Sequence, residues 1–123
     1  MRQLDHFIVG GASAPAARTH QIWNPSTGEV QAEVPLGDAA LLDREVAAAK
    51  KVQPEWAATN PQRRARVMFE FKRLVEANKQ ELAELLASEH GKVVDDAHGD
   101  VQRGLEVIEY ACGIPQALKG EYS

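Results

Sequence analysis

What this chain has little of narrows its class before any motif is considered. Its single cysteine, Cys112, can close no intrachain disulfide, so the expected setting is a reducing compartment and the expected location cytoplasmic. Aromatic residues make up 6% of the 123 positions, and the two indoles, Trp23 and Trp56, suit core or edge packing better than base stacking. Charge of one sign is scarce: 14 Lys and Arg against 18 Asp and Glu leave a net charge of -4. So mild an imbalance argues against nucleic acid or an anionic membrane as the partner. No apolar run approaches a membrane span, and Asp5, His6 and Gly10-Gly11 interrupt any signal-peptide core. No glycine pattern cradles a phosphate, and His6, His20, His90 and His98 lack metal-ligand spacing. What is present, 44% apolar and 26% charged residues, fits a soluble globular domain with a modest core.

The apolar period changes once along the chain, from two residues to about 3.6. His6 to Val9 reads as a short strand ended by Gly10-Gly11, and residues 12–17 as a loop. Gln21 to Trp23 and Glu29 to Val34 read as a β-hairpin around Asn24-Pro25-Ser26-Thr27-Gly28, with Val30, Ala32 and Val34 alternating onto one face. From Asp38 the spacing is helical. Asp38 caps a first helix carrying Leu42, Val46 and Ala49, which Pro54 is expected to stop. Asn60-Pro61 opens a second, with Ala65, Met68, Phe71 (or Phe69), Leu74 and Val75 on an apolar stripe. That helix is expected to run, with a kink near Asn78, through Leu82, Leu85 and Leu86 to a Gly91 cap. A third begins near Asp95-Asp96, carries Val101, Leu105, Ile108 and Ala111, and is interrupted by Gly113 and Pro115. The expected organisation is thus an N-terminal hairpin region (1–37) and a helical region (38–123): α+β and mostly helical.

Few residues here promise chemistry. Cys112 has the neighbours of a small buried residue near a helix end rather than of an activated nucleophile. Asp95, Asp96, His98 and Asp100 lack the alternation of a calcium loop and read as a solvated helix start. Arg63, Arg64 and Arg66 are too few for a nucleic-acid surface and are expected to pair with carboxylates. Arg103 lies one turn from Asp100 and from Glu106, so an exposed ion pair accounts for it. A guanidinium is nevertheless the best side chain for gripping a substrate carboxylate bidentately, and Gly99 and Gly104 beside it would let a ligand or another segment approach.

Several short segments, weak singly, occur in an order that carries a resemblance. They are Phe7-Ile8-Val9-Gly10-Gly11, Asn24-Pro25-Ser26-Thr27-Gly28-Glu29-Val30, Ala47-Ala48-Ala49-Lys50-Lys51 with Trp56, Pro61-Gln62-Arg63-Arg64-Ala65-Arg66, and Glu89-His90-Gly91-Lys92. Across nearly the whole chain they resemble the N-terminal region of the NAD-dependent aldehyde dehydrogenases, enzymes of α/β fold. The stretch from Gly99 to Val107, running on through Glu109-Tyr110-Ala111-Cys112-Gly113-Ile114-Pro115, is similar to the CoA-acylating methylmalonate-semialdehyde dehydrogenase branch. The resemblance implies a parent enzyme, a homo-oligomer, that uses NAD and coenzyme A on a small aldehyde bearing a carboxylate. It implies that Arg103 holds that carboxylate. It also implies that the nucleophilic cysteine, the oxyanion asparagine and the NAD loop lie beyond Ser123, so the segment, a truncated piece that needs the remainder of the parent chain, is expected to be inactive alone. No catalytic, cofactor or metal residue is expected among these 123.

Overall fold

The turn at residues 24–28 sets the pairing of the first strands. In a computed structural model that describes residues 2–6, 8 and 16–121, the Asn24 carboxamide accepts from the Ser26 amide at 2.9 Å, and Gly28 N–H donates back to the Asn24 carbonyl at 2.8 Å. Gly28 sits at φ +71°, a left-handed conformation that glycine adopts without a Cβ penalty. This turn joins β2 (Thr19–Trp23) to β3 (Val30–Pro35) as an antiparallel hairpin. The register pairs His20 with Val34 and Ile22 with Ala32, and it shifts between Ile22 and Trp23. A two-residue β1 (Arg2–Gln3) adds to the other side of β3 in parallel, giving the order β1-β3-β2. Central β3 is half-buried along its length and buried at Ala32, so the expected alternation of its burial is muted. Trp23, on the edge strand, is 53% exposed. The strand expected at 6–9 does not form at His6 or Ile8, while Phe7, Val9 and the Gly10-Gly11 stop lie outside the described residues.

Two compact units divide the chain, Met1–Ala58 and Thr59–Ser123. The change from strand to helix falls at the expected place, between Pro35 and Ala39, and the first unit also includes α1 (Ala39–Ala58). Asp38 caps α1 as expected, its carboxylate accepting from the Leu41 amide at 2.8 Å. Pro54 does not end this helix, which runs four residues past it. Proline removes one hydrogen bond and crowds one carbonyl, a local cost. The residues after it, Glu55-Trp56-Ala57-Ala58, still donate backwards and hold the helical turn. α1 buries none of its residues, and Leu42, Val46 and Trp56 stay exposed.

In the second unit Asn60 accepts from the Gln62 amide at 2.8 Å and Pro61 takes the first helical position of α2 (Pro61–Ala77). The expected kink at Asn78 is a break. Asn78 Nδ2 donates to the Leu74 carbonyl at 2.7 Å, taking an acceptor of the last turn, and α3 (Lys79–His90) starts anew. Gly91 closes α3 at φ +86°. α4 (Val94–Cys112) follows, and Gly113 leads into a single turn, α5 (Ile114–Ala117).

Among the described residues of this unit the buried ones are, Leu105 on α4 apart, small: Ala65 on α2, Ala83 on α3, and Ala97 and Cys112 on α4. Alanine at a crossing lets backbones approach, so α4 packs closely on α2 and α3. Met68 and Val75 are half-buried on the inner side of α2, as expected. Phe71 and Leu74 are not. They turn outward with Val67 and stay about half exposed, while the stem of Lys72 takes the inner place. The stripe read from apolar spacing merged two faces, because apolar residues lie on both the inner and the outer side of α2, among its charged ones.

Candidate functional site

The polar surface of the second unit is organised around α4. Its first turn presents Asp95 and Asp96 to the positive end of the helix dipole, and both are exposed. One turn on, Asp100 is bound on both oxygens: Oδ1 accepts from an Arg103 guanidinium nitrogen and Oδ2 from Lys92 Nζ. Lys92 reaches it because Gly91, in its left-handed conformation, turns the chain from the end of α3 back along α4. The hydrogen bond from the Lys92 ammonium, with that from Arg103 second, holds the Asp100 carboxyl below the usual carboxylate range, against the opposing effect of desolvation. Lys92 is largely shielded, with 19% of its side chain exposed, whereas Arg103 is 74% exposed. The guanidinium is therefore anchored on one edge and open to solvent on the rest.

Beside it the helix is bare. A Cβ placed on Gly99 or on Gly104 would meet nothing within 4 Å. Of the two acids within one turn of Arg103, Asp100 pairs with it; Glu106 instead accepts from Gln102 at 3.4 Å. Gln102 also accepts from Lys79 at 2.8 Å, and His98 Nε2 lies 2.8 Å from Gln80 Oε1, two polar ties between α3 and α4.

The other candidates fall apart on geometry. Cys112 is buried at the end of α4. Asp95, Asp96, His98 and Asp100 do not converge, and among the described residues no group of three His, Cys, Asp or Glu side chains could hold a metal ion. The ion pairs expected of Arg63, Arg64 and Arg66 do not form among the described residues, and Arg64 Nε is enclosed without a hydrogen-bond partner. In the first unit a cavity of about 230 Å³ is lined by His6, Arg18, Asp38 and Arg44 among others, and His6 Nε2 is enclosed there without a partner. Sequence reasoning missed Lys92 as a member of the Arg103 cluster. No helical spacing joins it to Asp100; the glycine that ends α3 was the available signal.

Comparison with known proteins gives a consistent picture. Residues 12–123 match the model of the aldehyde dehydrogenase family. A malonate-semialdehyde dehydrogenase of Pseudomonas aeruginosa is 44% identical over 123 residues, all of this chain and 25% of that protein. Malonate-semialdehyde dehydrogenase 3 of Geobacillus kaustophilus is 42% identical over 98% of this chain and 25% of its own length. Among solved structures, a methylmalonate-semialdehyde dehydrogenase from Sinorhizobium meliloti complexed with NAD superposes with a TM-score of 0.91 at 52% identity, covering 100% of this chain and 25% of that one. A methylmalonate-semialdehyde dehydrogenase from Oceanimonas doudoroffii gives 0.93 at 41% identity, covering 98% of this chain and 25% of its own. The chain spans about a quarter of the length of the relatives it matches.

Proposed function

The chain belongs to the aldehyde dehydrogenase family, and from that premise we propose that it is the N-terminal part of a CoA-acylating semialdehyde dehydrogenase. The reaction is malonate or methylmalonate semialdehyde plus NAD and coenzyme A, giving acetyl-CoA or propionyl-CoA, carbon dioxide and NADH. End-to-end similarity to malonate-semialdehyde dehydrogenases four times as long supports this reading. One observation within the chain carries the substrate: Arg103, a permanent cation anchored on one edge, stands exposed on a bare flank of α4. A semialdehyde acid needs such a partner for its carboxylate.

The NAD site of the parent lies mostly outside this segment on this reading, and coenzyme A enters as co-substrate. Within it, Arg103 binds the carboxylate and orients the aldehyde; bond-making groups lie elsewhere. The exposed faces of α2 and α4, with Val67, Phe71, Val107 and Tyr110, suit cover by the remainder of the parent chain. We further place the parent in the cytoplasm as a homo-oligomer, on the family likeness and on the scarcity of cysteine in these 123 residues.

Kinetics of Arg103→Ala in the full-length enzyme test this reading. A charge-assisted contact contributes roughly 1.5–3 kcal/mol, so kcat/KM on the semialdehyde should fall by about one to two powers of ten. Propanal has no carboxylate, so the ratio of the two kcat/KM values should fall with it. Equal losses would make Arg103 structural. The Asp100–Arg103 ion pair favours one second reading, a general aldehyde dehydrogenase releasing a free acid, and the product, acid or thioester, separates the two.

A further inference from the structure

The Arg103 cluster contains one more charge than an anchored arginine needs. Asp100 alone would fix the guanidinium but also cancel it, leaving a neutral pair with little attraction for an anion. Lys92 changes that balance. Its ammonium takes the second oxygen of Asp100, so the three side chains carry two positive charges and one negative. Lys92 is shielded and Arg103 exposed, so the surplus positive charge is presented at Arg103. The two donors lie on different elements. Lys92 is in the short link after α3, and Asp100 and Arg103 are on α4. The link thereby holds the acid from one side while the arginine stays open on the other.

We infer that Lys92 and Asp100 are positioning residues for Arg103: Asp100 fixes the guanidinium, and Lys92 offsets the Asp100 charge so that Arg103 stays available to a carboxylate. This rests on the reading of Arg103 given above. Lys92 touches no substrate and acts only through Asp100. The arrangement separates two tasks that a lone ion pair sets against each other, immobilising a long cationic side chain and keeping its charge unspent.

The test is a double-mutant cycle in the full-length enzyme, read as the ratio of kcat/KM on malonate semialdehyde to that on propanal. Lys92→Met should lower the ratio by about three- to tenfold, the size expected of one charge several ångströms away in a wet surface site. The fall should appear in KM for the semialdehyde more than in kcat, and should shrink at high salt. Lys92→Gln, which keeps a donor to Asp100 without the charge, should fall likewise, and Lys92→Arg should restore the ratio. In an Asp100→Asn background, Lys92→Met should lower the ratio less than it does with Asp100 in place. An unchanged ratio in Lys92→Met and Lys92→Gln overturns the inference, as does an undiminished effect of Lys92→Met in the Asp100→Asn background. If Arg103→Ala itself leaves the ratio unmoved, the carboxylate reading fails first and this one with it. If Arg103→Ala lowers the ratio and Lys92→Met does not, only the positioning role is lost.

Discussion

Replacing Leu105 by alanine tests the packing of the second unit most directly. Leu105 is the one large apolar side chain among the described residues this unit buries, at 4% exposure near the middle of α4. The substitution removes three carbons from an apolar setting, about 2.4 kcal/mol at ~0.8 per buried methylene. Around it the other buried residues are alanines and Cys112, which have no length to swing into the gap, so a cavity term adds to the transfer term. Leucine-to-alanine changes in such sites cost roughly 2–5 kcal/mol. Half-buried neighbours such as Val101 and Ile108 permit some collapse, which places the expectation near 3 kcal/mol, at the lower part of that range. Val107, two residues on, is 68% exposed, and Val107→Ala should cost under about 0.5 kcal/mol. Urea unfolding of the 123-residue polypeptide, followed by helical circular dichroism, measures both. Equal costs for Leu105→Ala and Val107→Ala would refute the assignment of the inner face of α4.

Met68→Asp places an uncompensated charge on the half-buried inner side of α2, and should destabilise by at least about 2 kcal/mol. Thermal unfolding checks it, and an unchanged midpoint would mean that the side chain faces water. Asp100 gives a pH signature. Its folded value lies below the ordinary carboxylate range, so its stabilising contribution is fully present above that range and is lost as pH falls through the lower value. Carboxyl carbon NMR across the acid range should show Asp100 titrating below the ordinary aspartate range, and Lys92→Met should bring it upward.

The sequence exposed those elements whose cause is local. Asp38, Asn60 and Gly91 each did the capping expected of them, and Asn24 to Gly28 made the turn, because caps and turns are decided by one side chain and its nearest amides. Pro54 misled because a breaker acts only where the rest of the helix cannot absorb it. The inner stripe of α2 misled for another reason. With apolar residues on several sides, spacing alone cannot say which side meets α4, and the alanines that make close crossings give no signal in an apolar pattern. The site was half legible. Arg103 and Asp100 stand at i, i+3 and could be paired on paper, whereas Lys92 joins them across the turn at Gly91.

The order in which the second unit's contacts arise along the chain bears on how the protein is made. Its helices meet partners no more than about fifty residues away, α3 against the adjacent α4 and α2 against α4. Such short-range pairings form quickly, and a ribosome need release only this stretch before they can close. Closing them leaves Val67, Phe71, Val107 and Tyr110 facing water. In the longer parent proposed above, the nascent chain would be folded early and adhesive early, and slower elongation after this stretch would lengthen its exposure to other chains. Synonymous codons that slow translation downstream should lower soluble yield, although they alter no residue of the finished protein.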